Sequence, residues 1–303
     1  MPLPAQARLL PGTFSNFAGT LRYQLYVASS ARTGAPLFVM LHGGQQSATD
    51  FATGTRMNDV AEECGGIVLY PEQSAGANFM GCWNWYESRH QAADQGEPAM
   101  IAGMTRAVMV QHGVDARRVY VAGMSAGGAM AVILGQSYPD LYAAVGVHSG
   151  MPSGVATDIF SALQTMNNGP SLNRAGLTGS TTVLRRAVAT IVFHGDCDNT
   201  VHPSNGEAVL AQVLQQGLGT PTGPGRGKLS IIRGAREVTR RTQTSTKGRP
   251  RAELWLVHGA GHAWTGGSRD GTFTDEKGPD ASREMRRFFL AHSLRDQAAV
   301  KAA

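Results

Sequence analysis

Three side chains of complementary chemistry occur in order along this 303-residue chain, each just after a short apolar run. They are a serine in "VYVAGMSAGG", an aspartate in "TIVFHGDCD" and a histidine in "LWLVHGAGH". A serine hydroxyl attacks poorly at neutral pH unless an imidazole takes its proton and a carboxylate holds that imidazole in place. Ser125 stands in Gly123-Met124-Ser125-Ala126-Gly127, a G-x-S-x-G sequence. Small neighbours let a strand turn sharply into a helix, which exposes the hydroxyl. The first N–H groups of that helix then point at any oxyanion that develops. A corner that merely packs tightly would need the same glycines, so the downstream residues must argue for catalysis.

The chain order nucleophile, acid, histidine, each beyond a later strand, is the one this chemistry uses on a sheet of parallel strands. His262 in "GAGHAW" is the base in this reading. Asp196 and Asp198 both follow the strand "TIVFHG", and either can reach an imidazole; the other caps a turn or the helix beginning near Pro203. His258 and His262 are four residues apart, but "GAG" between them opposes the helix that a metal pair at that spacing needs. No metal and no cofactor are expected. "LHGGQQ" closes an earlier strand, where backbone donors gather in such sites, and Gly44 N–H with Ala126 N–H form the expected oxyanion pair.

Short apolar runs alternating with helix-like segments position these residues. This is the signature of an α/β fold with a mostly parallel central sheet and helices on both faces. Strands are expected at "LRYQLYVA", "PLFVML" ending near Leu41, "GIVLYPEQ", "VYVAG", "YAAVGVHSG", "TIVFHG" and "ELWLV". Helices are expected over "ATDFATGTRMNDVAEECG" as one piece, from Glu97 to about His112, from Gly127 to about Gln136, and over "GPDASREMRRFFLAH" with Asp280 as N-cap. Residues 150–186 loosen into Gly, Asn, Pro and Thr and read as a cap-like excursion, and Gly217 to Gly227 reads as a Gly/Pro-rich loop. "AREVTRRTQT" and "RAELWLV" flank "STKGRP" as a hairpin whose second arm is the last sheet strand. One domain spanning 1–303 is expected.

Composition narrows the partners. The chain is 42% hydrophobic and 16% charged, as globular proteins are, and no apolar run is long enough to span a membrane. The net charge of +5 comes largely from "IIRGAREVTRRTQTSTKGRPRAEL", which lacks interleaved aromatic residues for stacking bases. A solvated basic hairpin is expected there, not a nucleic-acid surface. "MPLPAQARLLPGTFSN" lacks a basic segment followed by an apolar one, so either a cytoplasmic chain or the mature form of an exported one is expected. Three cysteines, Cys64, Cys82 and Cys197, allow at most one bridge.

The blocks "VMLHGGQQSATDF", "LYPEQ", "GCWNWY", "VYVAGMSAGGAMA", "FHGDCDNTVHPSNG", "WLVHGAGHAWTGG" and "GPDASREMRRFFL" resemble, in this order, the polyhydroxybutyrate depolymerase-type esterases. These form a branch of the α/β-hydrolases related to feruloyl and acetylxylan esterases. The resemblance runs from about Leu10 to Leu290. It implies an α/β-hydrolase fold with Ser125 as nucleophile, Asp198 as the acid, His262 as base, and an oxyanion hole at Gly44 and Ala126. It implies a serine esterase acting through an acyl-enzyme on short hydroxyalkanoate esters or oligomers. Feruloyl or acetylxylan ester hydrolysis and a non-catalytic hydrolase-fold binding protein are the alternatives. The "GCWNWY" loop is expected beside the pocket, with Trp83 and Trp85 giving flat apolar surface and Asn84 a hydrogen bond to substrate; alternatively the tryptophans pack the loop. Cys82 and Cys197 are either bridged or two free thiols, and Cys64 is expected to be buried.

Overall fold

Every residue of Leu37–Leu41 (β3) is completely buried, and its side chains alternate between two separate cores. That pattern belongs to a strand covered on both faces. The computed structural model describes residues 9–170, 188–217, 227–244 and 248–294. Ile67–Glu72 (β4), Val119–Met124 (β5), Ala144–His148 (β6) and Ala189–Gly195 (β7) are likewise almost wholly buried. With Pro250–Val257 (β10) they form the parallel centre of a ten-stranded sheet in the order β4-β3-β5-β6-β7-β10.

Antiparallel strands extend both sides. Leu9–Asn16 (β1) and Gly19–Val27 (β2) form a hairpin that joins β4, while Gly227–Ile232 (β8) and Val238–Thr244 (β9) extend β10. Neither β1 nor β8 is anticipated by the sequence reading. Both are outermost strands in which no side chain is fully buried, and β1 contains Pro11 and Gly12, which an edge tolerates and a central strand does not.

Leu37, Val39 and Leu41 face Gly96–His112 (α3) and Ala126–Ser137 (α4), with Ser204–Gly217 (α6) on the same side. Phe38 and Met40 face Ala48–Thr55 (α1), Met57–Glu62 (α2) and Ala281–Leu290 (α7). The single helix expected over 48–65 is broken at Arg56, whose φ of 54° is left-handed and whose N–H closes α1 on Ala52. Asp280 caps α7 as expected, accepting the Arg283 N–H at 2.9 Å.

The excursion after residue 150 carries Ile159–Asn168 (α5), capped by Asp158. Its remainder from 171 to 187, the loop at 218–226 and the hairpin tip at 245–247 lie outside the described residues. Two short paired strands, Trp264–Thr265 (β11) and Thr274–Asp275 (β12), follow the histidine loop. Among the described residues no helix is long and apolar enough to cross a membrane.

Candidate active site

Adjacent parallel strands deliver their C-terminal ends to one edge of the sheet. β3 pairs with β5 so that Leu41 lies opposite Gly123, which sets the "HGG" loop beside Ser125. β7 pairs with β10 so that Gly195 lies opposite Val257, which sets the aspartate and histidine loops side by side.

Ser125 is the N-cap of α4 with φ 56° and ψ −121°, a strained conformation that costs on the order of 1–3 kcal/mol. Its N–H donates to the His148 carbonyl at 2.9 Å, which holds the corner. The flanking glycines answer a packing need: a side chain on Gly127 would land on the carbonyl oxygens of Leu41 and His42, and one on Gly123 on the backbone of Gly127. A Cβ placed on Gly43 would stand 3.5 Å from the Ser125 Cβ, so the two loops are in contact. Ala126 occupies the first position of α4, where the N–H has no intrahelical acceptor.

The two aspartates beyond β7 take separate partners. Asp198 Oδ2 lies 2.8 Å from His262 Nδ1, and its Oδ1 accepts the N–H groups of Thr200 and Val201 at 3.0 and 2.8 Å. Burial pushes the Asp198 carboxyl up, but bonds from His194 and His262 and the Val201 N–H outweigh it and hold the group well below the usual carboxylate range. Asp198 is therefore ionised at neutral pH, which fixes a proton on His262 Nδ1 and leaves Nε2 as the basic nitrogen.

Asp196 instead bonds His258 Nδ1 and the Gly259 N–H, both at 2.7 Å, and His258 Nε2 meets the Thr239 hydroxyl at 2.8 Å. The two histidines are thus engaged by different carboxylates. Backbone bonds from Asp196 N–H to Val257 and from Cys197 N–H to Ala260 zip the two loops together. Gly195 is required at this crossing, because a side chain there would strike the Ala260 carbonyl.

The "GCWNWY" loop turns inward, which corrects the expectation that Trp83, Trp85 and Asn84 face a substrate. Trp83 is completely buried and donates its indole N–H to the His42 carbonyl at 3.1 Å; Trp85 is 4% exposed within the same core. Asn84 is buried too, with its backbone and amide N–H groups donated to the Glu97 carboxylate at 2.8 and 2.7 Å. The aromatic ring that does reach the site is Phe273, half-exposed and edge-on to the His262 imidazole at 6.4 Å between centroids. On the other side, the exposed Phe79 precedes Met80, whose carbonyl accepts the Gln45 N–H beside the glycine loop. All three cysteines are free thiols; Cys197 is exposed, and Cys64 and Cys82 are partly buried. Cys82 packs its sulfur on Gly44, where any side chain would collide with it.

Sequence reasoning passed over three buried groups that hold these loops. His148 read only as the end of a strand, yet its carbonyl fixes Ser125 and its Nε2 accepts the Thr265 N–H at 3.1 Å. Burial, with the nearby His194 and His262, lowers its pKa to about 3, so it stays neutral. His42 read only as part of "LHGG", and Glu97 only as the start of a helix. Nothing local in the sequence marks these contacts, which join residues far apart in the chain.

Glu97 makes one pH-dependent prediction. Burial pushes its carboxyl up from 4.5 to about 7, against hydrogen bonds from Gln73 and Asn84 that pull it down. The folded protein therefore holds a proton there that the unfolded chain has lost between those values. The resulting stabilisation is complete below about pH 4.5 and disappears as pH rises through about 7. Over that window it amounts to about 3 kcal/mol. Urea unfolding across this range should show the wild type losing about 3 kcal/mol relative to Glu97→Gln, whose amide stays neutral throughout, as pH rises from about 4.5 to about 7. Parallel curves would remove Glu97 from the pH dependence.

The profile of the family described as Esterase PHB depolymerase matches residues 21–228. The chain is 32% identical over 209 residues to poly(3-hydroxyalkanoate) depolymerase C of Paucimonas lemoignei, covering 65% of this chain and 50% of that protein. It is 29% identical to the probable acetylxylan esterase A of Aspergillus fumigatus, over 63% of this chain and 53% of that one. It is 30% identical to feruloyl esterase B of Thermothelomyces thermophilus, over 66% and 71%. The chain spans about half the length of the first two of these relatives. An acetyl xylan esterase from Aspergillus awamori superposes with a TM-score of 0.71 over 93% of this chain and 99% of that one, at 18% identity, and so shares its α/β-hydrolase fold. With the profile covering more than two hundred consecutive residues, from β2 to the start of β8 and through both the serine corner and the aspartate loop, the chain belongs to the PHB depolymerase esterase family.

Proposed function

We propose that this chain is a serine carboxylic-ester hydrolase that works through an acyl-enzyme, with Ser125, His262 and Asp198 as its catalytic residues. The observation that carries the reading is the 2.8 Å contact between Asp198 and His262 Nδ1, beyond the ends of β7 and β10, on the same parallel sheet whose β5 ends at the strained Ser125 corner. Ser125 Oγ attacks the ester carbonyl carbon and its proton passes to His262 Nε2. The resulting oxyanion receives the N–H groups of Gly44 and Ala126, strengthened by the N-terminal dipole of α4. As the C–O bond breaks, the alkoxide takes the proton from Nε2 and leaves as the alcohol. Water then attacks the acyl-serine by the same route, with Asp198 stabilising the imidazolium each time.

Short hydroxyalkanoate esters or oligomers are the proposed substrates, supported by the similarity to the Paucimonas lemoignei depolymerase. The similarity to feruloyl and acetylxylan esterases supports aryl or sugar acetyl esters as the second reading. Phe273 and Phe79, not the buried tryptophans, are the aromatic surface available to either. A panel of p-nitrophenyl acyl esters, 3-hydroxybutyrate oligomers, methyl ferulate and acetylated xylan separates them. A higher kcat/KM on hydroxybutyrate oligomers is expected, whereas preference for ferulate or acetylxylan replaces the first substrate class with the second. No turnover on any member of the panel, with no labelling by a serine-directed phosphonate, would overturn the esterase reading itself.

A further inference from the structure

The glycine loop carries one of the two proposed oxyanion donors, yet glycine-rich backbone does not hold its own orientation. Both polar groups of Gly43 are tied. Its N–H donates to Gln46 Oε1 at 2.9 Å, and its carbonyl oxygen lies 2.8 Å from His42 Nδ1. The other ring nitrogen, His42 Nε2, lies 3.1 Å from the backbone N–H of Gln73. A backbone N–H can only donate, so Nε2 must present its lone pair and the ring proton must sit on Nδ1. The tautomer is thereby set by the fold, and Nδ1–H donates to Gly43.

The ring has no freedom to leave this position. It is buried, tilts against Trp83 at 5.4 Å between centroids, and its own carbonyl accepts the Trp83 indole N–H. Its donor Gln73 is fixed in turn: the side-chain amide donates to Glu97 at 2.5 Å and to the Cys82 carbonyl at 3.0 Å, and accepts the Ser74 N–H at 2.9 Å. Burial also lowers the pKa of His42, which keeps the ring neutral and Nε2 available as an acceptor.

We propose that His42 is a positioning residue for the oxyanion hole, acting through the Gly43–Gly44 peptide. In a trans peptide the carbonyl and the following N–H point in opposite directions. Drawing the Gly43 carbonyl onto the buried ring therefore turns the Gly44 N–H away from that ring, in a loop whose Gly43 lies against Ser125. The same bond prevents the peptide from flipping and presenting an oxygen to the developing oxyanion, which would repel it. This inference rests on the esterase reading above and adds a residue that touches neither substrate nor nucleophile.

Two substitutions separate the ring's two bonds. His42→Asn keeps an amide N–H near the Nδ1 position and loses the acceptor for Gln73. His42→Gln carries an oxygen toward the Nε2 position and loses the donor to Gly43. With p-nitrophenyl butyrate, and active sites counted by phosphonate titration, His42→Gln should lower kcat by roughly 10²–10³-fold with KM little changed, the loss that follows removal of one oxyanion donor. His42→Asn should retain most of kcat. Equal losses in the two variants, or a loss confined to KM, would overturn the proposal. A second measurement needs neither variant nor activity: ¹⁵N shifts of the His42 ring in the wild-type protein should report protonation at Nδ1. A ring protonated at Nε2 overturns the proposal even if ester hydrolysis is confirmed, whereas Nδ1 protonation in a protein without esterase activity would fault the esterase reading alone.

Discussion

Ser125→Ala should lower kcat for ester hydrolysis by roughly 10⁵–10⁶-fold while leaving the fold untouched. The magnitude follows from the residue's role: with no hydroxyl there is no acyl-enzyme, and His262 has no proton to take. Two features keep the variant folded. Alanine has the same Cβ as serine and so pays the same strain at φ 56°. The bond that anchors the corner runs from the backbone N–H to His148, which alanine also provides. Far-UV circular dichroism and the urea midpoint should therefore match the wild type, while labelling by a p-nitrophenyl phosphonate should vanish. Full turnover in this variant would end the assignment of Ser125.

Asp198→Asn should cost about 10⁴-fold in kcat, because an amide in place of the carboxylate stabilises the wrong tautomer of the base and no imidazolium. Asp196→Asn should cost far less. Its carboxylate serves His258 and the Gly259 N–H, and an asparagine oxygen still accepts the latter. The pair measures what two aspartates only two residues apart in "HGDCD", one exposed and one buried, each contribute. A loss at Asp196 equal to that at Asp198 would return the two to equivalent candidacy.

How much could be read beforehand depended on where the information lies. Strands such as "LFVML" are legible because burial on both faces makes them continuous apolar runs, and α7 because its cap and its apolar face are local. The serine, aspartate and histidine loops each follow such a strand, so their place on one sheet edge was readable. The choice between Asp196 and Asp198 was not, because it depends on which histidine each carboxylate meets across 62 and 64 residues. Trp83, Trp85 and Asn84 stand in a loop without periodicity, and their inward direction is set by Glu97 and His42 from other elements. β1 and β8 escaped notice for the opposite reason, since a sheet's outermost strands carry little apolar pattern to read.

The contact of Gly127 with the carbonyls of Leu41 and His42 bears on how this site can be reshaped. Nucleophile corner and oxyanion loop are packed backbone on backbone, so neither can be widened without displacing the other. Saturation libraries at Gly123 or Gly127 should yield unfolded clones in place of altered specificities. Diversity that leaves the scaffold intact belongs at the rim, at residues 79–80 on one side and 272–273 on the other, where side chains already meet solvent. For a protein engineer the molecule divides into a region that transmits every error and a border that tolerates experiment.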